Sequence, residues 1–246
     1  MEELEDINFA ELHSRIVVNN IRFLLVSVDG LPGSGKTKRM EVIQLALSAH
    51  PDWELVVVPE PVKEWEESGI LEEYYKDIPK WALVFQQEVM RSRVCGLLRI
   101  IVREVNRSTG PKTIVLLSER TPASDRIFME MLLDSKQIDS RQFKLYESWC
   151  RLWRCMIPRM PVSHIYIDTS VKCSLERVAQ RDRKGESIPE DYQTKLAAKH
   201  EQFIQSLAPE AALCLDGNID IELEKEIITK QCYQIIEFVS NRLTRT

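Results

Sequence analysis

The segment 30–37 constrains the fold of this chain more than any other part of its sequence. It reads GLPGSGKT, which fits the pattern G-x-x-x-x-G-K-[ST], and it holds three of the chain's eight glycines. An apolar run at 22–28 precedes it and a helical pattern at 36–49 follows it. In that context glycine lets the backbone turn tightly, so that loop N–H groups and the helix N-terminus face one anion. The sequence therefore predicts a P-loop that binds the phosphates of a nucleoside triphosphate.

Short β-branched runs alternate with longer helical patterns along the chain. The runs that predict strands are 22–28, 54–58, 113–118, 164–168 and 213–215. The patterns that predict helices are 36–49, 81–106, 140–156 and 171–183, and 187–189 predicts a further helix start with proline in the first turn. This alternation indicates an α/β fold with a parallel sheet covered on both faces. We expect an N-terminal extension, 1–20, followed by a single domain, 21–246.

The composition disfavours several classes of protein. No apolar run approaches the ~20 residues that cross a bilayer, so we expect no membrane association. A formal net charge of −5 disfavours nucleic-acid binding. The acidic start, 1–6, is unlike a secretory signal or a transit peptide. The six cysteines show no C-x-x-C spacing, which disfavours disulfides and zinc and favours a cytoplasmic location.

Charged side chains follow two of the predicted strands. Glu60 lies between two prolines after 54–58, and Glu119 and Arg120 follow 113–118. The carboxyl ends of parallel strands gather ligands at one edge of a sheet, so these residues are expected beside the P-loop. A carboxylate there can accept a proton from an attacking hydroxyl or hold the water of a metal ion. An ion-paired strand end explains the same residues, and both interpretations stay open.

Four basic residues lie between positions 177 and 184. Arg177 and Arg181 share one helix face, and Arg183 and Lys184 follow them. Arginines on a mobile edge can close over phosphates and stabilise developing charge. An exposed amphipathic helix explains the spacing equally well.

Further segments combine with the P-loop into one ordered pattern. They are PEPV at 59–62 with Trp65, W-x-x-x-F-Q at 81–86, SERT at 118–121, SDR at 124–126, Y-x-x-W at 146–149, IYI at 165–167, and LER through IP over 175–189. With this pattern the chain resembles the deoxynucleoside kinases of the deoxycytidine kinase and deoxyguanosine kinase type, from residue 26 to about residue 207. The resemblance implies a P-loop kinase fold with a five-stranded parallel sheet, helices on both faces and an arginine-rich lid at about 177–188.

The resemblance also implies a reaction and its residues. A homodimer would transfer the γ-phosphoryl group of ATP, with Mg²⁺, to the 5′-hydroxyl of a deoxynucleoside. Glu60 matches the general base and Arg120 the arginine beside the reacting hydroxyl, while Thr37 and Glu119 would hold the metal. The residues expected to bind ATP are Gly30, Gly33, Ser34, Gly35, Lys36, Thr37, Arg177, Arg181, Arg183 and Asp216.

The same resemblance implies which residues bind the deoxynucleoside that accepts the phosphoryl group. Tyr75 and Glu186 match the pair that grips the sugar 3′-hydroxyl, and Gln86 matches the glutamine that bonds the base. Arg93 and Asp125 accompany recognition of cytosine and purines in the family, which favours deoxycytidine, deoxyadenosine or deoxyguanosine over thymidine. A structural ion pair is the other interpretation of those two charges. The residues expected to bind the deoxynucleoside are Trp65, Tyr75, Phe85, Gln86, Arg93, Asp125, Phe128 and Glu186.

Two other functions are consistent with a P-loop. A nucleoside monophosphate kinase of the thymidylate kinase type needs arginines for an incoming monophosphate, whereas Tyr75, Gln86 and Glu186 suit an uncharged nucleoside. A non-catalytic nucleotide-binding module would hydrolyse ATP slowly, and no deoxynucleoside would accelerate it.

Overall fold

Five strands form one parallel sheet in the computed structural model, which describes residues 7–181, 183 and 186–245. The strands are β1 (Ile21–Asp29), β2 (Glu54–Val58), β3 (Lys112–Glu119), β4 (Val162–Asp168) and β5 (Ala212–Asp216). Their order is β2-β3-β1-β4-β5, and every neighbouring pair is parallel. The predicted α/β fold is therefore confirmed, and all strands end at the same edge of the sheet.

Helices connect the strands and cover both faces of the sheet. They are α1 (Phe9–Val18), α2 (Lys36–Ser48), α3 (Val62–Glu67), α4 (Ile70–Lys76), α5 (Ile78–Arg107), α6 (Pro122–Asp134), α7 (Ser140–Met156), α8 (Val171–Arg181), α9 (Glu190–Ser206) and α10 (Lys225–Thr244). Successive side chains of β1 point to opposite faces. Leu24 and Val26 pack with α2 and α10, whereas Phe23 and Leu25 pack with α1 and α5. A third apolar cluster joins α5, α6, α7 and α9.

Most predicted boundaries lie within two residues of the observed ones, and the differences have local causes. The predicted helix 81–106 begins earlier, at Ile78, because the side chain of Asp77 accepts from the backbone N–H of Lys80. Pro189 has extended backbone and caps α9 instead of lying in its first turn, so that prediction was wrong by one residue. Lys184 and two further lid positions, 182 and 185, lie outside the described residues.

The predicted extension contains a helix that joins the core. Leu12 of α1 is buried against the sheet, in the same cluster as Phe23 of β1. The boundary at residue 20 and the single domain over 21–246 stay predictions. Within the described ranges, none of the helices combines the length and the apolar character that a bilayer crossing demands.

Candidate active site

The P-loop links β1 to α2 at the edge where the strands end. Gly33 and Gly35 have φ angles of 78° and 86°, in the left-handed region that glycine adopts without steric cost. A Cβ on Gly33 would lie 2.2 Å from the carbonyl oxygen of Ser174, so the loop also packs closely on α8. The hydroxyl of Ser34 is buried and has no hydrogen-bond partner among the described residues. Loop and helix N-terminus together present the free N–H groups that an anion needs.

Lys36 is buried in the first turn of α2. Its Nζ donates to the carbonyl of Leu31 over 2.9 Å and lies 3.5 Å from Oε1 of Glu119. Burial lowers the pKa of Lys36 to about 8, with Arg120 acting in the same direction and the carboxylates of Glu119 and Glu60 opposing it. A cation is thus held at the mouth of the loop, and its charge responds to what binds there.

Two side-chain oxygens lie beside this lysine. Thr37 Oγ1 donates to Oε2 of Glu119 over 3.3 Å. Within the described part of the chain, no cluster of three or more His, Cys, Asp or Glu side chains could hold a metal ion. Mg²⁺ often takes only one or two protein oxygens and completes its shell with phosphates and water. The hydroxyl and the carboxylate therefore fit Mg²⁺ better than a metal that needs a protein cage.

Four charged side chains, those of Glu60, Arg93, Arg120 and Asp125, meet where β2 and β3 end. Arg93 of α5 lies between two carboxylates, with Nη2 2.5 Å from Oε1 of Glu60 and Nε 3.0 Å from Oδ2 of Asp125. Arg93 also donates to the backbone carbonyl of Glu119. Arg93 and Asp125 are 8% and 2% exposed, and charges so deeply buried require partners. The Arg93–Asp125 contact lacks hydrogen-bond geometry, so both of its atoms have no hydrogen-bond partner within the described residues.

The two carboxylates of this network titrate differently. Burial alone would raise the pKa of Glu60, but Arg93, Arg120 and Lys36 outweigh it and hold that pKa below its ordinary value. Burial raises the pKa of Asp125 to about 6, against the attraction of Arg93 and Arg120. Glu60 is therefore ionised at neutral pH and can accept a proton.

Arg120 occupies the corner between β3 and α6 with a left-handed backbone, at φ 61°. Its Nη2 donates to the carbonyl of Gly30 over 2.9 Å, and its Nη1 lies 3.8 Å from Glu60 Oε1. The guanidinium carbon lies 5.0 Å from the ring centre of Phe128. Its Nε is buried without a hydrogen-bond partner in the described chain.

A pocket, here called the inner cavity, opens beside this network. Every residue predicted to bind the deoxynucleoside lines it, together with the predicted base and several lid and P-loop side chains. Those lining residues are Lys36, Thr37, Glu60, Trp65, Tyr75, Phe85, Gln86, Arg93, Glu119, Arg120, Asp125, Phe128, Arg181, Arg183 and Glu186. The residues predicted for the deoxynucleoside and for the general base thus line one pocket.

Three described lid residues, Arg181, Arg183 and Glu186, line the inner cavity. Arg181 and Glu186 form an ion pair across the lid, and Arg183 Nε lies 2.9 Å from Oε1 of Glu66. Burial raises the pKa of Tyr75, and the neighbouring Glu186 raises it further. The Tyr75 hydroxyl therefore keeps its proton at neutral pH and can donate a hydrogen bond.

A second pocket, here called the P-loop cavity, lies beside the P-loop. Arg177 fixes its wall by donating to the carbonyl of Gly217 over 2.7 Å. The residues lining this cavity are Gly33, Ser34, Gly35, Lys36, Thr37, Lys38, Arg39, Glu119, Arg177, Gln180, Arg181, Gly217, Ile219, Asp220 and Ile221. Four of them also line the inner cavity, namely Lys36, Thr37, Glu119 and Arg181. The two cavities therefore meet at the side chains best suited to hold a transferring phosphate.

Two residues predicted to bind ATP lie outside both cavities. Gly30 supports the site instead, since its carbonyl accepts from Arg120. Asp216 Oδ1 accepts from the backbone N–H of Asn218 and so shapes the turn after β5.

The structure adds site residues that the sequence analysis did not name. Tyr74 and Tyr192 line the inner cavity, and Arg39 lines the P-loop cavity. Arg39 lies two residues after Thr37 on the first turn of α2, so its position relative to the motif could have indicated it. The two tyrosines are 118 residues apart and show no such signal.

Residues 26–240, most of the chain, match the sequence model of the deoxynucleoside kinase family. The chain belongs to the deoxynucleoside kinase family. It is therefore an enzyme that phosphorylates a deoxynucleoside with ATP as the donor.

Curated relatives of the kinase agree with this assignment. Deoxycytidine kinase 2 of Gallus gallus is 27% identical over 89% of this chain and 90% of its own length. A probable deoxycytidine kinase of fowlpox virus is 27% identical over 73% of this chain and 71% of its own length. A deoxyadenosine kinase of Dictyostelium discoideum is 26% identical over 74% of this chain and 67% of its own length. These matches favour neither a nucleoside monophosphate kinase nor a non-catalytic module.

Proposed function

We propose that the kinase holds its deoxynucleoside in the inner cavity and ATP in the P-loop cavity. The observation that carries this proposal is the common wall, where Lys36, Thr37, Glu119 and Arg181 line both cavities. Phosphoryl transfer depends on positioning and on charge neutralisation more than on covalent chemistry. The common wall can position the two substrates against each other, and its lysine and arginine can neutralise charge on the phosphates.

Glu60 is the general base in this proposal. It is ionised at neutral pH, and Arg93 fixes its Oε1 at the end of β2. Its carboxylate lines the inner cavity, where it can accept the proton of the 5′-hydroxyl. Arg120, 3.8 Å from the same oxygen, also lines the inner cavity, where its charge can stabilise the transferring group.

Thr37 and Glu119 would hold Mg²⁺, through their hydroxyl and carboxylate oxygens. Held there, the ion would supply positive charge that offsets part of the charge of the phosphates. Around it, the P-loop N–H groups and Lys36 bind the phosphates. Arg177, Arg181 and Arg183 of the lid exclude water and add positive charge.

The sugar and the base lie at opposite ends of the inner cavity. Tyr75 can donate to the 3′-hydroxyl and Glu186 can accept from it, as the protonated phenol and the carboxylate allow. Trp65, Phe85 and Phe128 supply apolar walls for a planar base. Gln86 hydrogen-bonds the base edge, with Arg93 and Asp125 behind it. The names of the relatives, deoxycytidine kinase and deoxyadenosine kinase, support a preference for those bases over thymine.

A product assay tests this function directly. Labelled ATP is incubated with each deoxynucleoside and with deoxynucleoside monophosphates, and the products are separated. We expect monophosphates from deoxycytidine or a purine deoxynucleoside, and far less from thymidine. Best activity with thymidine contradicts the base assignment, and transfer only to monophosphates contradicts the acceptor assignment.

We also propose that the kinase is a homodimer. The helices α5 and α7 expose large apolar side chains, which isolated monomers rarely do on neighbouring helices. These are Val84, Leu145, Trp149 and Leu152, at 47%, 47%, 42% and 51% exposure. Light scattering of the wild type and of Trp149→Lys tests it. A wild-type monomer, or a dimer that the substitution leaves intact, contradicts this interface.

A cytoplasmic location is consistent with the cysteines. All six are free thiols, and Cys155 and Cys214 are exposed, as proteins of a reducing compartment tolerate. Fractionation of cells that express the native chain tests this proposal.

A further inference from the structure

One buried arginine joins the helix after the P-loop to both sides of the turn that follows β5. Arg39 of α2 is 3% exposed and lines the P-loop cavity. Its Nη2 donates to the backbone carbonyl of Asp216, the last residue of β5, over 2.6 Å. Its Nη1 donates to Oε1 of Gln231, in the second turn of α10, over 2.5 Å. The segment between β5 and α10, residues 217–224, is here called the β5–α10 turn, and a single guanidinium holds the chain before it and after it.

A second arginine, on α8, holds the start of the same turn. Arg177 donates to the carbonyl of Gly217, the residue after Asp216, over 2.7 Å. Gly217 is also closely packed, since a Cβ there would lie 2.0 Å from Oγ1 of Thr169. Two arginines, one from the P-loop helix and one from the helix that leads into the lid, thus bond two successive carbonyls.

The β5–α10 turn differs in chemistry from the P-loop wall of the same cavity. Residues 33–37 offer backbone N–H groups and a lysine, which suit phosphates. The turn contributes Gly217, Ile219, Asp220 and Ile221 to the lining. Its two isoleucines offer apolar surface and its backbone offers hydrogen-bonding groups, which is the combination that a planar base requires. With the triphosphate at the P-loop, the base of ATP is therefore expected against this turn.

The packing of α2 on α10 does not require an arginine. Ile43 and Leu47 of α2 belong to one apolar cluster with Ile235 and Val239 of α10. A buried guanidinium is costly unless it is paired, and apolar side chains can often replace buried charges without loss of stability. The two acceptors at the edge of the cavity account for the arginine better than helix packing does.

We propose that Arg39 is a positioning residue for the phosphate donor, which fixes the β5–α10 turn as the surface that binds the base of ATP. This inference rests on the proposed placement of ATP in the P-loop cavity. Arg39 should therefore contribute to the affinity for ATP through the base and not through the triphosphate.

The test compares ATP with inorganic tripolyphosphate, which has the phosphates but no base. Both affinities are measured with Mg²⁺ by calorimetry in the wild type and in Arg39→Met, and KM for ATP and kcat are measured with the best deoxynucleoside acceptor. We expect Kd and KM for ATP to rise about five- to thirtyfold, as the loss of hydrogen bonds from a buried charged group implies. The affinity for tripolyphosphate, and kcat at saturating ATP, should stay within about twofold.

The matched control is an arginine with the same kind of contact at the far end of β1. Arg22 is exposed, and its Nη2 donates to the backbone carbonyl of Leu243 in α10 over 2.6 Å. Arg22→Met removes the same charge from a residue that does not line the P-loop cavity, so both affinities should stay at their wild-type values. Arg39→Lys keeps the charge but lacks the planar fork that reaches two acceptors, so ATP affinity should fall nearly as far as in Arg39→Met.

The outcomes separate this inference from the proposed function. Equal losses for ATP and tripolyphosphate in Arg39→Met, or no loss for either, overturn the positioning role and leave the proposed function standing. Wild-type affinity for ATP in Arg39→Lys also overturns it, because the charge alone would then suffice. If Lys36→Ala weakens neither ligand, the triphosphate does not bind in the P-loop cavity, and the proposed function fails together with the inference. Thermal unfolding is measured alongside, and if Arg39→Met does not fold, Gln231→Met decides by the same criterion, with an expected loss of about threefold for ATP alone.

Discussion

The P-loop cavity and the inner cavity are built in different ways. The P-loop cavity depends on backbone, since Gly33 and Gly35 take left-handed angles and Gly33 leaves no room for a Cβ against α8. The inner cavity depends on side chains from several elements, with Glu60, Arg93 and Asp125 contributed by the end of β2, by α5 and by α6. Backbone N–H groups bind any triphosphate, whereas side chains can distinguish one nucleoside from another. Triphosphate binding thus depends on one local stretch of sequence, whereas selection of the nucleoside depends on tertiary contacts.

The largest expected effect comes from removing Glu60, the proposed general base in the wall of the inner cavity. Glu60→Gln keeps the shape of the side chain but not its proton affinity, so kcat should fall about 10²- to 10⁴-fold. ATP affinity, measured by calorimetry, should stay within about twofold because Glu60 does not line the P-loop cavity. An unchanged kcat would exclude Glu60 as the base.

Removing the P-loop cation should affect every acceptor alike. Lys36→Ala deletes the buried charge that is proposed to bind the terminal phosphates, and we expect kcat/KM for ATP to fall about 10²-fold. Steady-state assays with deoxycytidine and with deoxyadenosine should give the same factor. A loss confined to one acceptor would show that Lys36 acts on the nucleoside side.

The dependence of kcat/KM on pH should show two limbs. The acid limb comes from Asp125 in the inner cavity, and the alkaline limb comes from Lys36 in the common wall of the two cavities. Protonation of Asp125 as pH falls through about 6 removes one partner of Arg93, so kcat/KM for the deoxynucleoside should fall there, about tenfold per pH unit. The pKa of Glu60 lies below its ordinary value, so Glu60 is not the source of this limb. Deprotonation of Lys36 above about pH 8 should lower kcat/KM for ATP. Asp125→Asn should abolish the acid limb alone, and an acid limb that survives would contradict the assignment.

The same pKa bears on stability. The folded-state pKa of Asp125, about 6, lies above its ordinary value of 3.8, so the folded protein binds the extra proton between those values. The contribution of Asp125 to the free energy of unfolding is therefore fully present below pH 3.8 and is lost as pH rises through about 6. Denaturant unfolding at pH 4.5 and 7 should show this slope in the wild type and a flatter one in Asp125→Asn.

The smallest effect is expected at the rim of the P-loop cavity. Lys38 and Glu222 form a 2.8 Å ion pair, but their side chains are 69% and 74% exposed. Exposed pairs are screened and hold little energy, so Lys38→Ala should change KM for ATP less than about threefold. This variant is also the control for Lys36→Ala, as a neighbouring lysine on the same helix.

The two cavities also differ in how far the sequence predicts them. The P-loop was recognisable from eight consecutive residues, because its geometry follows from glycine and from the start of α2. Glu60 and Arg120 could be placed from the carboxyl ends of strands. Helix α6 was not predicted, although Pro122 after a capping Thr121 is a local start signal. The Tyr74–Tyr192 contact depends on the packing of α4 against α9, which no local pattern contains.

The backbone of Arg120 has a consequence for how this enzyme can change. A left-handed conformation costs a non-glycine residue about 1–3 kcal/mol, and Arg120 holds it at the corner between β3 and α6. Glycine at this position would relax the corner but would remove the guanidinium that bonds Gly30 and faces Glu60. Backbone strain alone therefore favours glycine at this corner, whereas the contacts of the guanidinium favour arginine. A search for thermostable variants that scores backbone strain alone would select against a side chain that lines the inner cavity.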